Sequence, residues 1–151
     1  MEIKLLADTM LGRLARWLRI MGYDVHFQSS YPDGTMLALI QGGRRALSRT
    51  QVLQGIFPDI LIIHSNRVEN QVHEAVQRLG LVPDRSRWFT RCLVCNVPLT
   101  ETGFEERLEN VPDYVLYEYP SGIRHCACCN RYFWPGTHRK KMLRKLEEWG
   151  F

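Results

Sequence analysis

The sequence predicts an α/β protein: a three-layer domain with a mostly parallel sheet over residues 1–87, then a small cysteine-bound module with a C-terminal helix over residues 88–151. Two observations predict it. Short apolar runs alternate with helically spaced stretches through the first half, the pattern of parallel strands joined by crossover helices. In the second half, Cys92 and Cys95 form one C-x2-C pair, and Cys126 and Cys129 form another.

The elements follow in order. Ile3–Ala7 is a short apolar run ended by Asp8 and reads as a buried strand. Met10, Leu11, Leu14, Leu18 and Met21 then share a helical face, with Asp8 or Thr9 to cap its start and Gly22 its end. Asp24–Gln28 is a second strand, Tyr31–Gly34 carries turn chemistry, and Met36–Gln41 is a second helix closed by Gly42 and Gly43. Arg44–Ser48 and Ile60–His64 supply two further strands, and Val68–Leu79 is a helix stopped at Gly80. A basic link, Arg85–Arg91, carries Trp88 and Phe89 into the cysteine module. Within that module Tyr114–Tyr119 reads as a strand, and Thr137 caps a final helix through Met142, Leu143 and Leu146 to Trp149.

Two residues between cysteines is the spacing of a tight knuckle, so four thiolates can close tetrahedrally on one Zn²⁺. Asn96 and Asn130 each follow a pair directly, where a knuckle accepts a left-handed residue. The alternatives are two disulfides or buried, paired thiols. With Cys92, Cys95, Cys126 and Cys129 all on the metal, no position stays open for water, so such a zinc is structural. Cys128 reads as a small packed residue. The gap between the knuckles must hold a small hairpin or loop of its own.

Hydrophobic content of 45% and charged content of 24% are ordinary for a soluble globular protein. No apolar run approaches membrane length, and Met1–Ala7 leads into a strand rather than a cleavable signal. Knuckle cysteines fit a reducing compartment, so the expected location is cytoplasmic and no membrane partner is expected. A net charge of +4 permits a nucleic-acid partner without demanding one. Basic residues cluster at Arg13, Arg16 and Arg19, at Arg44, Arg45 and Arg49, and from Arg139 to Lys145. Solvated surface is the default account of any one cluster.

In parallel α/β sheets, ligands gather outside the carboxyl ends of the strands. Those ends carry Asp8, Ser48 to Thr50 and His64 to Asn66, with Asp33 before the second helix. Asp8 and Asp33 could share Mg²⁺ or Mn²⁺, which prefer carboxylate oxygens. The plainer account gives Asp8 a helix cap and Asp33 a turn. Arg49 lies at the mouth of that site and suits a phosphate. Arg13, Arg16 and Arg19 suit an RNA-facing edge, with a solvated face the account of at least one of them, and His138 suits a phosphate contact, proton transfer or a packing role. Trp88, Phe89, Tyr132 and Trp134 can stack unpaired bases, or serve as the substitute core of a small zinc module.

The order of motifs resembles the Mut-seven C-terminal RNase domain family. Leu5–Arg19, then Met21–Asp24, looks like its opening. Gly43–Arg49 occupies its Gly-Arg…Leu-Thr-Arg-Asp position, Gln71 its glutamine-containing helix start, and Arg91–Asn96 with Trp134–His138 its zinc half. The resemblance implies a PIN-like nuclease fold fused to a zinc ribbon. It implies a metal-dependent ribonuclease using Mg²⁺ or Mn²⁺, with Asp8 as the first acidic ligand and Asp33 as the second. It also exposes a departure: the family's next acid follows the Thr-Arg pair, and here that place is Thr50. The lost carboxylate removes a hard oxygen ligand. Two rival expectations therefore stand beside the nuclease: an RNA-binding domain that does not cut, and a zinc-ribbon module for protein interaction.

Overall fold

Leu5, Leu6 and Ala7 are wholly buried, and the run Lys4–Ala7 forms strand β1, an inner strand of the sheet. The computed structural model describes residues 2–102 and 111–151, within two compact units, residues 1–88 and 89–151.

In the first unit, β1 pairs in parallel with β2 (Asp24–Phe27) on one side and β3 (Arg45–Ser48) on the other, and β3 pairs in parallel with β4 (Leu61–Ile62). The sheet order is β2-β1-β3-β4. Helix α1 spans Gly12–Ile20, α2 Thr35–Gln41, α3 Val52–Ile56 and α4 Val68–Leu79. Met36, Leu39 and Ile40 of α2 and Leu53 of α3 pack on Leu6, Ala46 and Ile62, which marks one face of the sheet. Side chains alternate along a strand, so Leu5 and Ala7 belong to the other face. Right-handed crossovers place α1 opposite α2 and α3, because the chain moves from β1 to β2 in one direction and from β2 to β3 in the reverse. Helix α1 packs on β1, β2 and α4, through the buried stripe Leu14, Ala15 and Leu18. Mostly parallel pairing and helical layers are thus as the periodicity implies.

The boundaries differ in instructive ways. Thr9–Leu11 is a separate 3₁₀ turn, and Met10 is 65% exposed rather than on the buried face. Only Leu61 and Ile62 of the fourth apolar run are laddered, although Ile60 and Ile63 are buried beside them. Arg19 does not face solvent: it is buried, and its Nε donates to the Val25 carbonyl at 2.8 Å. Arg44 is likewise structural, bonded to the Leu5 carbonyl at 2.9 Å and paired with Asp24 at 2.8 Å. Two of the clustered arginines therefore hold the sheet together.

The second unit has an antiparallel sheet of order β5-β6-β7, from β5 (Thr100–Glu101), β6 (Arg124–His125) and β7 (Tyr132–Phe133). Helix α5 spans Asp113–Glu118 and α6 spans Thr137–Glu148. The expected strand at Tyr114–Tyr119 is therefore wrong. Val115 N donates to Pro112 O at 2.9 Å and Tyr119 N to Val115 O at 2.8 Å, the bonds of a helical turn, which puts Val115 in a cluster with Val111 and Ile123, and Asp113 favours the helix N-terminus. Thr137 is the first residue of α6 rather than its cap, a place taken by Gly136 with no side-chain bond. Tyr132 and Trp134 pack on the Val111, Val115 and Ile123 cluster, and Arg139 lies over the Phe89 ring at 4.6 Å. The expected loop or hairpin between the knuckles falls partly on residues 103–110, outside the described residues.

Candidate functional site

The four sulfurs of Cys92, Cys95, Cys126 and Cys129 all lie within 4.8 Å of one another. Two near-identical turns bring them together. Asn96 N donates to Cys92 O at 2.9 Å and Cys92 N to Val97 O at 2.9 Å; Asn130 N donates to Cys126 O at 2.8 Å and Cys126 N to Arg131 O at 2.9 Å. Asn96 and Asn130 both sit in the left-handed region, at φ 65° and 62°. The Cys95 and Cys129 amides point at Cys92 Sγ and Cys126 Sγ, at 3.4 and 3.5 Å. Sulfurs tetrahedral about zinc at ~2.3 Å stand about 3.8 Å apart, and Cys92 Sγ is 3.7 Å from Cys129 Sγ. The donor set fits zinc.

Crowding also sorts the thiols. Burial pushes the Cys95 thiol up, reinforced by the Cys129 and Cys128 thiols. Burial opposes ionisation of Cys129 too, but the Arg131 backbone N–H and the thiols of Cys126, Cys95 and Cys92 outweigh it and hold its pKa at about 6. Cys128 is exposed rather than packed, and its thiol stands beside that of Cys95 without joining the convergent four.

The other strand ends assemble around Asp8. It follows β1 and is 8% exposed; one carboxylate oxygen accepts from Thr9 N at 2.7 Å and the other from Ser48 Oγ at 2.7 Å. Ser48 Oγ in turn accepts from Thr50 N at 3.0 Å, so the end of β3 is tied to the end of β1. Connections leave these neighbouring strands toward opposite faces, which opens a crevice at their carboxyl ends. The carboxylate has been fixed in direction without being neutralised: among the described residues no basic side chain pairs with it. Its bond from Thr9 N is the helix cap that the plainer account of Asp8 expects.

Tyr31 closes the crevice on the β2 side. Its hydroxyl donates to the Ala7 carbonyl at 2.7 Å and accepts from Gln28 N at 3.0 Å. Burial raises the phenol above its usual range, and the nearby Asp8 charge adds to the rise against the opposing Gln28 bond. This anchor fixes the turn that carries Asp33, an exposed residue two positions on. Among the described residues, the cysteine cluster is the one convergent group of three or more metal-ligating side chains, and Asp8 and Asp33 belong to no such group.

The end of β4 is the most heavily braced. Glu74 accepts from His64 N at 2.8 Å, Ser65 N at 3.0 Å and Ser65 Oγ at 2.8 Å, and pairs with Arg78 at 3.1 Å. Gln71 Nε2 donates to the Ser65 carbonyl at 3.0 Å. Arg49 donates to that same carbonyl and to Asn66 Oδ1 at 2.7 Å, so its guanidinium spans the ends of β3 and β4. Arg13 and Arg16 are exposed on α1, and His138 is exposed in the first turn of α6. Tyr31 and Glu74 escaped sequence reasoning as site-builders, and Ser48 was placed at its strand end without its bond to Asp8. A hydroxyl at a strand end was a visible signal for Ser48; the bond from Tyr31 to Ala7 spans residues far apart in the chain and left none.

Two expectations follow here. Ser48→Ala removes one of the two donors to a buried carboxylate and should cost about 1–3 kcal/mol of unfolding free energy. Denaturant titration reads this, and a loss below about 0.5 kcal/mol would deny Ser48 its role. For Glu74, burial raises the pKa, but the bonds from His64, Ser65 and Arg78 outweigh it and leave it depressed. A depressed carboxylate contributes stability that is fully present above its unfolded value of about 4.3. That contribution is lost as pH falls through the lower folded value. Glu74→Gln should therefore flatten the acid limb of the stability profile, and an unchanged limb would exclude this role.

The sequence model described as the Mut7-C RNAse domain matches residues 3–146. No curated protein and no solved structure matches the chain.

Proposed function

The chain belongs to the Mut7-C RNAse domain family, and from that premise we propose that it hydrolyses RNA phosphodiester bonds with a divalent cation held at Asp8 and Asp33. The observation that carries the reading is the Asp8 carboxylate, oriented by Thr9 and Ser48 in the crevice where β1 and β3 end. Mg²⁺ and Mn²⁺ bind through one or two carboxylates together with waters and substrate phosphates, so two acids suit a site completed by RNA. Bound there, the cation would polarise a phosphoryl oxygen and supply hydroxide.

The chain's own groups do the rest. Ser48 would hold one Asp8 oxygen in place while Thr9 N holds the other. Arg49 still has N–H donors beyond its two bonds and would meet a phosphate at the mouth. Arg13 and Arg16, exposed on α1, would steer the strand, and His138 would meet a phosphate on α6. The ribbon would keep its zinc as structure, since four thiolates leave no open position.

A second reading, RNA binding without cleavage, is favoured by Thr50 standing where the resemblance places an acid. Its backbone N–H is spent on Ser48. The test is Mn²⁺-dependent cleavage of a labelled single-stranded RNA by the wild-type chain beside Asp8→Asn. Binding without cleavage by the wild type selects the second reading. Cleavage that survives Asp8→Asn overturns the site.

A further inference from the structure

The second unit carries an open groove of about 350 Å³ lined by Cys129, Asn130, Arg131, Tyr132 and Trp134. That is the small end of ligand-sized clefts, ~300–1,000 Å³. Tyr132 and Trp134 stand two residues apart on and just after β7, so they face the same way along the strand. Both are held in place. His125, the cross-strand partner of Tyr132, lies against its ring with centroids 4.7 Å apart, and its Nε2 bonds Asn130 Oδ1 at 2.6 Å. Gly136 seats the indole: a Cβ there would stand 2.9 Å from Trp134 Nε1. Arg131 is exposed, and none of the lining residues is acidic.

We infer that this groove is a second nucleic-acid subsite, which stacks unpaired bases of an RNA strand on Tyr132 and Trp134 while Arg131 holds a phosphate. The strand it takes rests on the reading of the protein as an RNA enzyme. The groove itself rests on its own geometry. Preset aromatic faces bind bases of any sequence, because every base has a π-face. A cation beside them adds the phosphate contact. With its Oδ1 bonded to His125, Asn130 keeps an amide NH₂ to donate to a base edge. Duplex RNA would be refused, since its bases are stacked already.

The test is the anisotropy of a fluorescein-labelled oligouridylate titrated with the full, zinc-loaded chain without added Mg²⁺ or Mn²⁺. Trp134→Leu should weaken binding at least about fivefold, as loss of one stacked base does. Arg131→Ala should weaken it severalfold and reduce the salt slope by about one. The exposed Arg131 keeps the test valid even where Trp134→Leu fails to fold. Ultraviolet cross-linking of a 5-iodouridine strand should map to Tyr132 or Trp134. Unchanged affinity in Arg131→Ala, with cross-links confined to residues 1–88, overturns the groove and leaves the catalytic reading standing. Weakened binding by these variants, with no Mn²⁺-dependent cleavage by the wild type, supports the groove and sinks the catalytic reading instead. A wild type with no affinity for the single strand overturns the groove outright.

Discussion

Removing zinc, by chelation or by Cys126→Ser, is expected to unfold residues 89–151. Few of the described side chains there are fully buried: Cys92, Val115, Cys126 and Leu146 have no exposure, with Val111 and Ile123 close behind. So small an apolar core supplies little of the free energy that a folded unit needs, and short modules make up the difference with metal or disulfides. Structural zinc contributes on the order of 10–16 kcal/mol in comparable knuckles. The strands β5, β6 and β7 are two residues each and would not persist without it. Hydrogen exchange is the measurement. The amides of Cys92, Asn96, Cys126 and Asn130 should lose protection with metal, while those of β1 and β3 keep theirs. Protection unchanged after complete metal removal would show that the sulfur cluster does not hold the unit together.

Asp8→Asn is expected to reduce Mn²⁺-dependent RNA cleavage by at least a hundredfold, about 2.7 kcal/mol of transition-state stabilisation. The substitution is nearly isosteric. An asparagine oxygen can still accept from Thr9 N, and Ser48 Oγ can turn from donor to acceptor. The fold should therefore survive while the charge at the crevice disappears. RNA affinity should hold or rise slightly, because a negative group beside the phosphate is gone. Thr50→Asp is the converse change and should let cleavage proceed at lower Mn²⁺, since it returns a hard oxygen ligand to the end of β3. Equal cleavage by wild type and Asp8→Asn would place the chemistry elsewhere.

Parallel strands, the α4 helix and the two zinc knuckles were legible in the sequence because each is written in local spacing. Val68, Val72, Val76 and Leu79 repeat at helical intervals, and the α4 boundaries follow them. Asn96 and Asn130 announce left-handed positions because a short polar side chain tolerates them. Spacing fails where neighbours decide. Tyr114–Tyr119 has the aromatic and β-branched content of a strand, yet it is helical, with Val115 buried in a cluster with Val111 and Ile123. Arg19 looks like one of three evenly spaced surface cations, but the Val25 carbonyl captures it.

The candidate site divides the same way. Which residue types stand at the strand ends was already determined by the sequence: Asp8, Ser48, Thr50, Asn66. Tertiary structure alone decided how they are joined. Ser48 meets Asp8 because β1 and β3 are neighbours and in register, with Ala7 opposite Leu47. Tyr31 meets Ala7 because β2 flanks β1 on the other side. Such bonds depend on strand order, a property of which segments bury one another rather than of any local run of residues. The sequence therefore supplied the side chains, and the order of four strands joined them.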